Sequence, residues 1–318
     1  MATIDTGKKP ILITGSHRSG TTWVGEMISS SSSVGYIMEP FNLKCRRPGI
    51  IDARFDNWFQ YVNDDNGLYY YESIKRMLEF RFNYSAGVSK ARTVKDGARL
   101  LRDIINTTRY RINNLRPVVK EPTALFLSPW FAKTFDANIV ILIRHPAAFV
   151  SSLMILNWRF PYEHFLSQKA LMSDYLEPFE NEINDFKKNT PDVIDDAILL
   201  WKIVHSTISK YKKTYENWMF LKHEDLSRNV LSEFEQLFSR LNIKFDKKVE
   251  KKLLSYSSSK NPADMTEISS KLQSVKSIKR DSKSNILNWK KRLNTSEILY
   301  IREKVRDISD EFYSDEEW

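Results

Sequence analysis

The sequence predicts an α/β fold: a parallel β-sheet flanked by helices on both faces. Three observations carry this. The apolar run Ile11-Leu12-Ile13 leads straight into Thr14-Gly15-Ser16 and a helical pattern. The run over 139–143, Ile-Val-Ile-Leu-Ile, leads into Arg144-His145-Pro146 in the same way. Short unbroken apolar runs of this kind mark strands buried on both faces. Long amphipathic stretches separate the apolar ones, the alternation that builds a parallel sheet covered by helices.

Taken in order, strands are expected over 11–13, 36–38, 118–120, 139–143 and 218–221. Helices are expected over 68–80, 98–110, 123–135, 193–215 and 296–308. The serine run 29–33 closes the first helix as a loop, and the Ser- and Lys-rich stretch 255–284 reads as a loop that orders on binding or stays mobile. No repeat and no clean linker divides the chain, so one domain over 1–318 is expected.

Hydrophobic residues make up 42% and aromatics 13% of the 318 residues, enough for a large core and too many for global disorder. The one cysteine, Cys45, admits no internal disulfide, which favours a reducing compartment. No apolar run approaches the ~18 residues of a membrane span, and the polar start of the chain lacks a secretion signal. The expected location is cytoplasmic, with peripheral membrane contact left open. The net charge of +9 is uneven: residues 244–292 hold 14 Lys or Arg against 5 Asp or Glu, and the remainder holds 35 of each. A local positive field attracts anions, although a solvated basic loop has the same composition. No recognition-helix or RNA-binding signature accompanies it, so nucleic acid is not an expected partner.

The strongest local signal is Gly15-Ser-His-Arg-Ser-Gly-Thr-Thr22. A strand, a loop with glycines five apart and a helix start make the sheet P-loop-like: backbone N–H groups wrap an anion at a helix N-terminus. A nucleoside triphosphatase needs Lys after the second glycine, and here Thr21 stands there. The cation is Arg18, inside the loop, and no strand ends in an evident metal-binding Asp. No metal is expected. An Arg in the loop suits a phosphosulfate, where charge develops on a departing phosphate.

The second signal is Arg144 at the end of an apolar strand, with Pro146 starting a helix and Ser152 eight residues on. Such an Arg can grip a phosphate with paired hydrogen bonds, or serve in a structural ion pair.

Together these segments resemble the sulfotransferase family. Arg18-Ser-Gly-Thr-Thr-Trp23, followed by Val24-Gly25-Glu26-Met27, looks like the family's 5′-phosphosulfate loop. The resemblance implies 3′-phosphoadenosine 5′-phosphosulfate (PAPS) as sulfuryl donor and PAP as product, bound by Arg18, Ser19, Gly20, Thr21 and Thr22. It implies that Arg144 and Ser152 hold the 3′-phosphate and that Trp23 stacks on the adenine, core packing being the alternative for Trp23. Lys279-Arg280-Asp-Ser and Trp289-Lys290-Lys-Arg-Leu293 resemble the family's basic loop over the nucleotide, without its usual glycines. Arg280 is the expected 3′-phosphate contact there. Leu221-Lys-His-Glu-Asp-Leu226 resembles a further landmark, read as structural.

The acceptor hydroxyl must lose a proton to a base within hydrogen-bond reach. Cytosolic members use a His two residues after a Lys; here Lys120-Glu121-Pro122 places Pro in that position. Tyr36-Ile-Met-Glu39-Pro40-Phe41 resembles the carbohydrate sulfotransferases, which use a carboxylate. Glu39 is therefore the expected base, with Glu121 as the alternative, and Lys120 is expected to stabilise the transferring group. The expected reaction is in-line transfer to a hydroxyl of a glycan or glycolipid. A small-molecule or nucleoside kinase is the second reading, and the missing Lys argues against it.

Overall fold

The computed structural model describes residues 8–90, 92–189, 191–262, 279 and 281–318. Five strands form one all-parallel sheet in the order β2-β3-β1-β4-β5. They are β1 (Ile11–Thr14), β2 (Val34–Met38), β3 (Arg116–Lys120), β4 (Asn138–Ile143) and β5 (Met219–Lys222). The predicted α/β class and all five predicted strands are present.

Alternate residues of each strand feed two separate cores, as the two-residue period of a strand requires. Leu12, Val119, Ile139 and Ile141 pack on one face with the helices Ser128–Phe135 and Val193–Thr214. Ile11, Ile13, Val118, Val140 and Leu142 pack on the other with Thr21–Ile28 and Val230–Arg240. Every one of these strand residues is fully buried. Helices cover both faces, so the polar loops that follow the strands gather at the carboxyl edge of the sheet, where such folds bind ligands.

The first six helices are α1 (Thr21–Ile28), α2 (Gly67–Leu78), α3 (Tyr84–Lys90), α4 (Val94–Ile112), α5 (Ser128–Phe135) and α6 (Pro146–Ile155). Two differ from expectation for local reasons. α4 starts four residues early, because Thr93 and Asp96 form a capping box at its N-terminus. α5 starts at Ser128 instead of residue 123, because residues 121–127 make tight turns. There Glu121 accepts hydrogen bonds from the Thr123 hydroxyl and N–H at 2.9 and 3.4 Å, competing with helix formation. The helices His223–Arg228, Val230–Arg240 and Lys247–Ser257 were not foreseen. Most of the predicted loop 255–284 lies outside the described residues, and so does Arg280. Among the described residues no helix is long and apolar enough to cross a membrane.

Candidate active site

The loop after β1 is shaped by its backbone. Gly15, Arg18 and Gly20 have φ of 150°, 64° and 96°. A Cβ on Gly15 would come 2.5 Å from the Leu142 carbonyl oxygen, and one on Gly20 2.4 Å from His223 Nδ1, so neither position admits a side chain. Ser19 is buried and its hydroxyl donates to the Ser16 carbonyl at 2.8 Å, which pins the loop from inside. No side chain caps α1, so its first-turn N–H groups remain available to an anion in the loop.

Strand register brings the second group of residues to the same place. Met38 and Ile13 both pair with Lys120, so β1, β2 and β3 end side by side. Glu39 follows β2 in a left-handed conformation, φ 47°, fixed by its N–H donating to the Lys120 carbonyl at 2.7 Å. Its carboxylate accepts from the Lys120 ammonium and from Asn42 Nδ2, the latter at 2.7 Å. Lys120 also donates to Thr22 Oγ1 at 3.1 Å. The chain Thr22–Lys120–Glu39–Asn42 thus links the phosphate loop to the end of β2. The Lys120 side chain is wholly buried, whereas Glu39 keeps 20% of its side chain exposed.

The two candidate bases differ in environment. Burial pushes the Glu39 carboxyl up, but the Lys120 charge, its hydrogen bond and that of Asn42 outweigh it, and the net shift is downward. Glu121 is buried, and burial, with the Glu39 charge, pushes it up to about 7. Both its oxygens are engaged by neighbours: Phe41 N–H donates at 3.0 Å and Thr123 Oγ1 at 2.9 Å. Glu121 therefore ties the 39–42 turn to the end of β3.

The third group surrounds β4. Arg18 Nε donates to Ser152 Oγ at 2.9 Å, while the neighbouring Ser151 hydroxyl turns back to the Ala148 carbonyl of its own helix at 3.2 Å. Arg144 is buried, with its Nε 3.6 Å from Glu224 Oε1. Glu224 in turn accepts from the Tyr313 hydroxyl at 3.0 Å and the His145 N–H at 3.2 Å. Burial, then Arg144 and Arg292, push the Arg18 guanidinium down to about 10. Three guanidiniums converging on one place, with Glu224 as the nearby carboxylate, form a centre built for anions. Arg292 was not among the sequence candidates, although the basic stretch 289–293 pointed to its segment. Nothing in the sequence singled out Asn42 or Tyr313.

Aromatic rings enclose the histidines of both loops. His17 meets Trp58, Phe59 and Trp158 at centroid distances of 5.4, 5.6 and 5.0 Å, and burial pushes it down to about 4. His145 stacks on Trp289 at 4.9 Å and meets Tyr313 and Trp318 edge-on. Trp23 packs edge-on against Phe234 and His223 at 5.1 and 5.7 Å. Beyond Asn42 opens a cavity of about 660 Å³ between the 40–55 segment and the start of α4.

Comparison with known proteins gives the following. Residues 10–247 match the sequence profile of the sulfotransferase family. No curated protein sequence matches the chain. Among solved structures, the sulfotransferase domain of the Synechococcus PCC 7002 olefin synthase is 14% identical, with a TM-score of 0.49 over 97% of this chain and 96% of that one. The sulfotransferase domain from the curacin biosynthetic pathway is 15% identical, with a TM-score of 0.46 over 94% and 98%. Mouse sulfotransferase SULT7A1, complexed with PAP, is 12% identical, with a TM-score of 0.43 over 96% and 85%. With the family profile covering three quarters of its length, the chain belongs to the sulfotransferase family, the enzymes that draw a sulfuryl group from PAPS.

Proposed function

We propose that this enzyme sulfates a hydroxyl of a saccharide, as part of a glycan or glycolipid, with Glu39 as the general base. The observation that carries the reading is the Glu39–Lys120–Thr22 chain, which sets a half-open, ionised carboxylate beside the phosphate loop.

The donor set fits PAPS. The α1 amides, Arg18, Ser19, Gly20, Thr21 and Thr22 surround a place for the 5′-phosphosulfate. Arg144 and Ser152, the latter bonded to Arg18, offer guanidinium and hydroxyl donors to the 3′-phosphate. Arg292 adds a third charge that the sequence reading gave to Arg280. Trp23 is assigned to the adenine. When bound, PAPS supplies an activated sulfuryl group whose departure leaves negative charge on PAP.

Glu39 stays ionised at neutral pH and accepts the acceptor's proton on a carboxylate oxygen. Asn42 holds the second oxygen and fixes the carboxylate plane. Lys120, buried and rigid, places positive charge between base and phosphate loop, where it is effective in a dry site. Arg18, Glu39 and Phe59 all carry positive φ, so backbone strain of about 1–3 kcal/mol each gathers around His17. One catalytic unit draws on Arg18, Arg144 and Arg292, residues far apart in the chain. The exposed, unpaired Cys45 suits a reducing, cytoplasmic compartment.

The test has two parts. Calorimetry should show PAP binding tightly with or without Mg²⁺ and ATP binding much more weakly. With labelled PAPS and a saccharide panel, Glu39→Gln should cut turnover by about 10²–10⁴ while PAP affinity holds. Near-normal turnover would remove Glu39 from the base role.

A further inference from the structure

The cavity beyond Asn42 has a donor-rich wall. Its floor is apolar: Phe41 and Phe55 line it and stack at 4.3 Å, with both rings buried. Its carboxylates are already engaged. Asp103 is buried in the fork of Arg47, at 2.6 and 3.3 Å. One Asp96 oxygen serves the capping box of α4. Asp52 accepts from Asn83 Nδ2 at 2.9 Å and lies 3.7 Å from Arg76.

The arginines are paired more sparsely, and Asp96 feels the charge of Arg99. Arg46 and Arg54 both lean on one oxygen of Asp56, at 3.9 and 2.5 Å. Arg99, one turn into α4, has no ion pair among the described residues. Three exposed guanidiniums with donors to spare therefore face this space. That space reaches the base: Asn42 lines it and donates to Glu39.

We infer that this cavity is the acceptor subsite and that it takes an acidic saccharide. A carboxylate of the acceptor is held by Arg99 with Arg46 and Arg54, above the apolar floor that Phe41 and Phe55 form. Guanidinium forks match carboxylates in planar, two-point geometry. The arginines are solvent-exposed, so the attraction weakens with salt. The inference rests on the reading of Glu39 as base.

The test is calorimetry on the full chain saturated with PAP, so that the phosphate loop is filled. The probes are an unsulfated chondroitin hexasaccharide, which carries glucuronate carboxylates, and neutral chitohexaose. Chondroitin should bind roughly tenfold tighter or better, and the difference should shrink at high salt. Arg99→Ala and Arg46→Ala should each weaken chondroitin several-fold, leaving chitohexaose and PAP affinities unchanged. Equal binding of the two oligosaccharides, no chondroitin binding, or variants that bind chondroitin like the wild type would each overturn the inference; in the last case the anion sits elsewhere, on the basic segment. Failure of PAP itself to bind would instead remove the sulfotransferase reading on which the inference stands.

Discussion

Arg18 and Ser152 meet across 134 residues of sequence, the guanidinium Nε donating to the hydroxyl at 2.9 Å. The contact joins the loop after β1 to the helix after β4, so the two motifs meet at one place. Ser152→Ala removes a hydrogen bond to a charged group, worth about 1.5 kcal/mol or more, and PAP affinity should fall about tenfold. Ser151→Ala is the control, since that hydroxyl is committed to its own helix. Calorimetry checks both; a Ser152 variant within twofold of wild type would take that hydroxyl out of the nucleotide site.

With Glu39 as the proposed base, the Glu39–Lys120 pair predicts the pH dependence of turnover. The ammonium holds the carboxyl below the ordinary range against the upward push of burial. The acid limb of the kcat/KM profile should therefore lie below pH ~4.5. Lys120→Met removes the ammonium and leaves chiefly the Asn42 hydrogen bond to oppose burial, so the limb should move upward as overall turnover drops. A limb that stays in place would show that the titrating base is not Glu39.

Glu121 predicts a pH effect on stability of the opposite kind. Its carboxyl rises from 4.5 to about 7 in the folded chain. Between those values the folded state holds the proton and the unfolded state releases it. The group's contribution is therefore fully present below about pH 4.5 and is lost as pH rises through 7. Glu121→Gln cannot titrate, so relative to wild type it should gain about 2–3 kcal/mol between pH 5 and pH 8. Unfolding curves at the two pH values measure this, and a constant offset would refute it.

Tyr313 and Glu224 lead to Arg144, the proposed 3′-phosphate contact, and on that proposal they position it. The Tyr313 hydroxyl holds one Glu224 oxygen at 3.0 Å, and the other oxygen lies 3.6 Å from Arg144 Nε. Tyr313→Phe should weaken PAP several-fold and leave AMP, which lacks the 3′-phosphate, unchanged. Arg144→Ala should do the same more strongly. Equal losses for PAP and AMP in the Tyr313 variant would indicate a general structural defect.

The sheet was legible because its strands are short apolar runs with no other reading. The helix over 123–135 was misjudged at its start because Glu121 and Thr123 form side-chain-to-backbone bonds that periodicity does not register. At the site, the glycines and Arg18 announced the loop through spacing, and the structure places Glu39, Lys120 and Ser152 within reach of it. Arg292, Asn42 and Tyr313 act through tertiary proximity to residues far away in sequence, and no local pattern encodes that. Glu121 shows the limit most clearly. It is adjacent to Lys120 and chemically identical to Glu39, and deeper burial without the Lys120 hydrogen bond separates the two carboxylates.

Arg18 follows the first strand, Arg144 follows the fourth, and Arg292 sits beside Trp289, whose ring stacks on His145. Ordering contacts this distant in sequence pays loop-closure entropy before any packing is gained, which slows folding. The guanidinium cluster is complete only once the last helices dock, so partly folded chains should not capture nucleotide. PAP added during refolding should then lock in finished molecules alone, making nucleotide retention a direct count of chains that have folded to the end.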